Sequence, residues 1–165
     1  MTCSLARRGR SLFLFTLSVF VGLITAQTSF AGITLPQANG ETLTLSTPAE
    51  RIITLAPNLA ELVFAAGAGA QLKAVVEYSN FPAQVKQIPR IGDAFRIDLE
   101  RVVELKPDLV IAWRSGNPQT ALQKLELLGT TVWQIEITRP EACAGAVENI
   151  SRAAGTQSIG QPVAR

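Results

Sequence analysis

The sequence holds 165 residues, with 15 lysines and arginines against 13 aspartates and glutamates, and no histidine. Without an imidazole a Ser/His/Asp or Cys/His relay is excluded, and two cysteines cannot supply a typical multi-ligand His/Cys zinc or transition-metal site. The formal net charge of +2 owes three arginines to the first ten residues; residues 32–165 sum to about −1 and leave no basic face of the kind that grips nucleic acid.

The first predicted element is an export signal over residues 1–31. Arg7, Arg8 and Arg10 form a basic n-region, residues 11–24 are mainly apolar, and Ser29-Phe30-Ala31 sets small residues at the two positions a signal peptidase reads. Cleavage is expected after Ala31. The apolar run is shorter than the roughly 20 residues that span a bilayer, and Thr16, Ser18 and Gly22 interrupt it, which argues against an anchor. Neighbours of Arg7-Arg8 fit twin-arginine export poorly, and Cys3 precedes the apolar run, so the general secretory route is preferred to a twin-arginine or lipoprotein signal. The residues that follow suit one domain with one core. Cys143, the lone thiol after the leader, reads as a small buried residue.

Residues 32–50 read as a lead-in. Residues 51–56 (RIITLA) are a β-branched strand closed by Pro57, and Leu59, Leu62, Val63 and Ala66 follow at helical spacing. Gly67 and Gly69 stop that helix, and residues 72–78 form a second strand. Residues 79–97, with Pro82, Pro89 and Gly92, form an irregular connection of a length that often carries function. Asp98 caps a short helix over 99–105, with Leu99, Val102, Val103 and Leu105 facing inward, and Pro107 ends it. Residues 108–113 (DLVIAW) are apolar enough for a strand buried on both faces. Asn117 and Pro118 cap and start a helix running to Leu128, residues 131–137 form a fourth strand, and residues 141–154 form a last helix. Strands separated by helices imply parallel crossovers, hence an α/β fold: a three-layer α/β/α sandwich with a mainly parallel sheet.

Gly67-Ala68-Gly69 follows a helix rather than a strand, so it is a helix stop and not a dinucleotide fingerprint. Ligands of open α/β sheets sit beyond the carboxyl ends of strands. There the sequence places Pro57-Asn58, Tyr78-Ser79-Asn80-Phe81 and Trp113-Arg114-Ser115-Gly116-Asn117. Tyr78 and Trp113 could give flat surfaces to a large planar ligand or merely cap the core. Trp133, inside a strand, reads as packing, and Glu100 as an ordinary acid of a first helical turn. Glu61, Asp98 and Glu100 are candidate acids with no base or metal to unite them, so an enzyme is not expected.

Three segments then carry a resemblance: RIITLAPNLAELVFAAGAG (51–69), EYSNFPAQVKQIPRIGD (77–93) and DLERVVELKPDLVIAWRSGNPQTALQKLELLG (98–129). They resemble periplasmic binding proteins of ABC importers that serve cobalamin, siderophores and haem, two-lobed proteins joined by one long helix, and the Trp-Arg-x-Gly-Asn stretch is similar to the cobalamin branch. The resemblance implies an N-terminal lobe over 51–155, the start of an interlobe helix at 156–165 where a chain of the full family length would continue, and residence in the periplasm. It implies that Tyr78 and Trp113 contact a corrinoid, that Pro57 and Asn58 belong to the first binding loop, and that Glu100 docks on arginines of the inner-membrane permease. Ala94 stands where cobalamin binders can carry a tryptophan six residues before the docking glutamate, with Phe95 beside it as a substitute. It implies no required cofactor, cobalamin being cargo. Haem, a ferric siderophore or a stand-alone single-lobe interaction domain remain the alternatives.

Overall fold

The computed structural model describes residues 32–164, and the expected leader lies outside the described residues. Residues 32–50, read as a lead-in, contain an antiparallel hairpin of β1 (Ile33–Pro36) and β2 (Thr42–Leu45), turning at Asn39-Gly40 with Gly40 at φ +87°. Asn-Gly between alternating apolar residues is a hairpin signal, because both turn residues tolerate positive φ.

The α/β unit follows as β3 (Ile52–Thr54), α1 (Pro57–Ala65), β4 (Leu72–Val75), α2 (Leu99–Glu104), β5 (Leu109–Trp113), α3 (Gln119–Leu127), β6 (Val132–Ile135), α4 (Glu141–Ala154) and α5 (Gln157–Val163). The four-stranded sheet has the order β4-β3-β5-β6 and every pairing is parallel. Alternate side chains of the strands feed two separate cores. Ile52, Leu109, Ile111, Trp133 and Ile135 pack with Leu59 and Val63 of α1, Val147 and Ile150 of α4, and Leu35 and Leu45 of the hairpin. Ile53, Ala74, Val110, Ala112 and Val132 pack on the other face with Val102 of α2 and Leu122 and Leu125 of α3. The expected three-layer sandwich is therefore present.

Its topology follows from the handedness of crossovers. The step from β3 to β4 runs outward along one face through α1, whereas the chain then returns past β3 to β5 and on to β6 over the opposite face through α2 and α3. The direction of winding reverses between β3 and β5, and a crevice opens at the carboxyl ends of those two strands. Both sheet edges are covered. The loop at 89–91 covers β4, Val75 N–H donating to Pro89 O at 3.0 Å and Ile91 N–H to Val75 O at 3.1 Å, and the hairpin covers β6 through Ala38 N–H to Gln134 O at 2.9 Å.

Three local expectations change. The second strand stops at Val75, so Tyr78 sits in a turn beyond it rather than at its end. Val103 is exposed because a helix of six residues has room for one inward stripe, which Val102 occupies. Cys143 is half-buried, on a helix face that the core only partly covers.

Candidate functional site

Beyond β3 and β5, at the reversal of winding, lies a cavity of about 370 Å³ whose lining includes Pro57, Tyr78, Phe95 and Trp113. Each wall has a local cause. Pro57 opens α1 at a first-turn position, where its missing N–H costs nothing. Tyr78 takes φ +66°, an uncommon backbone for a bulky residue, and the residue is 78% exposed. The Arg90 guanidinium holds this turn by donating to Val76 O at 3.3 Å and Ser79 O at 2.8 Å, while Glu77 N–H donates to Gly92 O at 2.8 Å.

Phe95, 75% exposed, stands on a loop shaped by Asp93. The Asp93 carboxylate accepts the Phe95 N–H at 2.7 Å and the Arg96 N–H at 2.8 Å. Those two backbone bonds, the Phe95 one foremost, and the Arg96 charge outweigh a small burial effect and hold the Asp93 carboxyl below its usual range. Gly92 begins the loop at φ +87°, and a Cβ there would overlap the Arg96 carbonyl.

Trp113 ends β5 half-buried, with the turn behind it built around its ring: Gly116 has no side chain because a Cβ would enter the ring. Its indole N–H donates to Glu136 Oε1 at 2.9 Å. Asn117, expected as a helix cap, does other work, for α3 has no side-chain cap. Nearly fully buried, it accepts the Trp113 N–H at 2.7 Å and donates to Leu55 O at 2.8 Å and Ala94 O at 3.0 Å, tying β3, β5 and the Phe95 loop together.

The structure thus brings Pro57, Tyr78, Phe95 and Trp113 to one cavity. Asn58, half-buried on α1, is not among its lining residues, and Glu100 lies elsewhere, exposed in the first turn of α2 beside a shallow depression with Val103 and Leu128. Trp133 is 1% exposed and its indole donates to Pro36 O at 2.9 Å, so it packs, as its place within a strand suggests. Sequence reasoning missed Glu77 and Asp93, two carboxylates in the lining, and Glu136 behind Trp113. Glu136 falls within the fourth strand as expected over 131–137, whereas the strand ends at Ile135 and Glu136 is the first residue beyond it.

Among the described residues no basic side chain lines the cavity. Among the described residues no cluster of His, Cys, Asp or Glu could hold a metal, and no helix is long and apolar enough to cross a membrane. Aromatic faces beside carboxylate acceptors fit a large, flat guest that presents N–H donors rather than anionic groups.

Comparison with known proteins places the chain in a family. Residues 52–136 match the family model described as periplasmic binding protein. The chain is 41% identical over 117 residues to a vitamin B12-binding protein of Vibrio cholerae, covering 71% of this chain and 42% of that protein. It is 38% identical over 104 residues to one of Yersinia pestis, covering 63% and 37%. The crystal structure of the periplasmic vitamin B12-binding protein BtuF of Vibrio cholerae superposes with a TM-score of 0.68 at 41% identity, over 71% of this chain and 46% of that one. A periplasmic haem-binding protein of Pseudomonas aeruginosa shares the fold, with a TM-score of 0.64 at 23% identity over 69% and 41%. The chain spans less than half the length of these relatives. A parallel sheet with a crevice at its point of reversal, and a family match that spans the first and last strands of that sheet, lead to one conclusion: this chain belongs to the periplasmic binding protein family.

Proposed function

We propose that the chain forms one wall of a corrinoid-binding cleft in the substrate carrier of an ABC importer, and that cobalamin is its cargo. The single observation that carries this reading is the aromatic cavity at the sheet's reversal point, in a chain 41% identical to proteins described as vitamin B12-binding. Tyr78, Phe95 and Trp113 offer ring faces to the corrin, and Pro57, followed by Asn58 in the first turn of α1, borders them. Phe95 takes the part of the tryptophan that Ala94 replaces. On this reading residues 1–31 direct export to the periplasm, residues 51–155 are the ligand-facing lobe, and residues 156–165, which include α5, begin the link between lobes. Glu100 is the charge that meets arginines of the inner-membrane permease.

Haem is the second reading, and cavity chemistry disfavours it. Haem carries two propionates, whereas this wall offers Glu77 and Asp93 and no basic side chain, so a propionate directed at it would meet like charge. Cobalamin carries neutral amides whose N–H groups suit those carboxylates. A ligand held on one face leaves its other face in water, forgoing roughly 25 cal/mol per Å² of apolar area, so binding by this chain alone is weak.

Calorimetry with cyanocobalamin and with haemin tests the assignment. Cyanocobalamin binding is expected, with Trp113→Ala weakening it at least about tenfold, or about 1.4 kcal/mol. Binding of haemin alone would transfer the assignment to haem, and binding of neither would favour a single-lobe interaction domain.

A further inference from the structure

The chain places one carboxylate behind the cavity wall rather than in it. In the parallel register Trp113 lies opposite Ile135, and Arg114 N–H donates to Ile135 O at 3.0 Å, so the next residue of that strand line, Glu136, falls beside the Trp113 side chain. Glu136 Oε1 accepts the Trp113 indole N–H and the Ser115 hydroxyl, both at 2.9 Å, and Oε2 accepts the Ser115 backbone N–H at 2.9 Å. Burial opposes its ionisation, but those three donors, aided by the Arg114 charge, hold the carboxyl below its usual range. Glu136 is absent from the lining of the aromatic cavity and faces a separate depression bordered by Gln37 and Asn149. Its links to the cavity run through the Trp113 ring and, by way of Ser115, through the turn at Gly116.

An indole rotates about two side-chain bonds, and a half-buried one at a cavity rim is not fixed by packing on all sides. Here the ring is held at two points. Gly116 lets the turn close against the six-membered part of the ring, where a Cβ would collide, and Glu136 grips the N–H edge. A charged acceptor makes that grip about twice as strong as a neutral one. The other tryptophan supplies the comparison, since Trp133 donates to a neutral carbonyl, Pro36 O.

We propose that Glu136 is a positioning residue of the cleft, which fixes the plane of the Trp113 ring before a ligand arrives and sets affinity through that ring without touching the ligand. The inference rests on the corrinoid reading for its consequence but not for its geometry, so the test has two arms.

The first arm needs no ligand. In the full chain labelled with 15N at its two tryptophans, the indole N–H signals are assigned by Trp113→Phe. The Trp113 signal is expected to shift with pH as Glu136 protonates, below the usual glutamate range, while that of Trp133 stays still. In Glu136→Gln the titration disappears and exchange of the Trp113 indole proton accelerates about tenfold. Ser115→Ala, which keeps the indole bond and removes only the hydroxyl, retains both features and shows that a loosened turn alone does not produce the change. A Trp113 signal indifferent to pH and to Glu136→Gln overturns the proposal.

The second arm measures cyanocobalamin binding to the same chains. Glu136→Gln is expected to weaken binding about fivefold to tenfold, yet to add nothing in a Trp113→Ala background. An equal loss in both backgrounds means that Glu136 acts independently of the ring, and the proposal falls. Absence of binding by the unaltered chain defeats the corrinoid reading, while the indole signals still decide whether Glu136 fixes the ring.

Discussion

Asn117 shows what a single buried amide contributes here. Its side chain makes three hydrogen bonds, to Trp113 N–H, Leu55 O and Ala94 O, and every one of those groups sits where a strand or loop leaves the sheet. Asn117→Ala leaves them without partners in a site too closed for water to replace all three. We expect a loss of about 2–3 kcal/mol in urea unfolding, and a looser Phe95 loop seen as faster exchange of its amides. Asp93 makes a related prediction for pH. Because its folded-state pKa lies below the unfolded value of about 3.9, its contribution to stability is complete above that value and is lost as pH falls through the depressed one. The amide signals of Phe95 and Arg96 should titrate together in that acid window, and Asp93→Asn should abolish the titration. Tyr78, Trp113 and Pro57 could be placed from the sequence, since each follows an apolar β-branched run. Asn117 and Glu136 could not be given their roles in this way, for their partners lie 62 and 23 residues away in the chain.

Helix α2 gives a prediction at the scale of an element. It has six residues, Asp98 caps it by accepting the Arg101 N–H at 2.9 Å, and Glu100 follows in the first turn. A carboxylate there gains about 0.3–1 kcal/mol from the helix dipole, so Glu100→Gln should barely change stability by thermal unfolding. A large salt-sensitive loss of association with permease-containing vesicles, at unchanged stability, is the expected signature of docking; unaltered association would assign Glu100 to the helix alone. The stop of α1 and the cap and stop of α2 were legible because glycine, aspartate and proline impose local backbone rules. The hairpin was not recognised, although Asn39-Gly40 signals it, because residues 32–50 were read as a lead-in to the first long apolar run. The second strand was extended too far because Val76 continues its apolar pattern, whereas its pairing ends at Val75.

The whole molecule behaves as two cores sharing one sheet. Ile52 and Ile53, adjacent in β3, belong to opposite cores, and β5 divides its side chains in the same way. Loss of either core therefore removes one face from the two central strands, and their hydrogen bonds lose protection together. The cavity, by contrast, is bounded on one side by segments outside the sheet, the turn at Tyr78 and the loop from Gly92 to Ile97, held by hydrogen bonds of Arg90, Asp93 and Asn117 and anchored at the loop's ends by Ile91 and Ile97. Hydrogen exchange is expected to show this division: slow, cooperative exchange for β3 and β5, and exchange at least about a hundredfold faster across residues 78–81 and 93–96, equivalent to about 2.7 kcal/mol less protection. Saturating cyanocobalamin should slow the second group and leave the first nearly unchanged, because the ligand would bear on the rim and not on the cores. Equal protection of rim and sheet in the free chain would show that the wall is already as rigid as the scaffold beneath it.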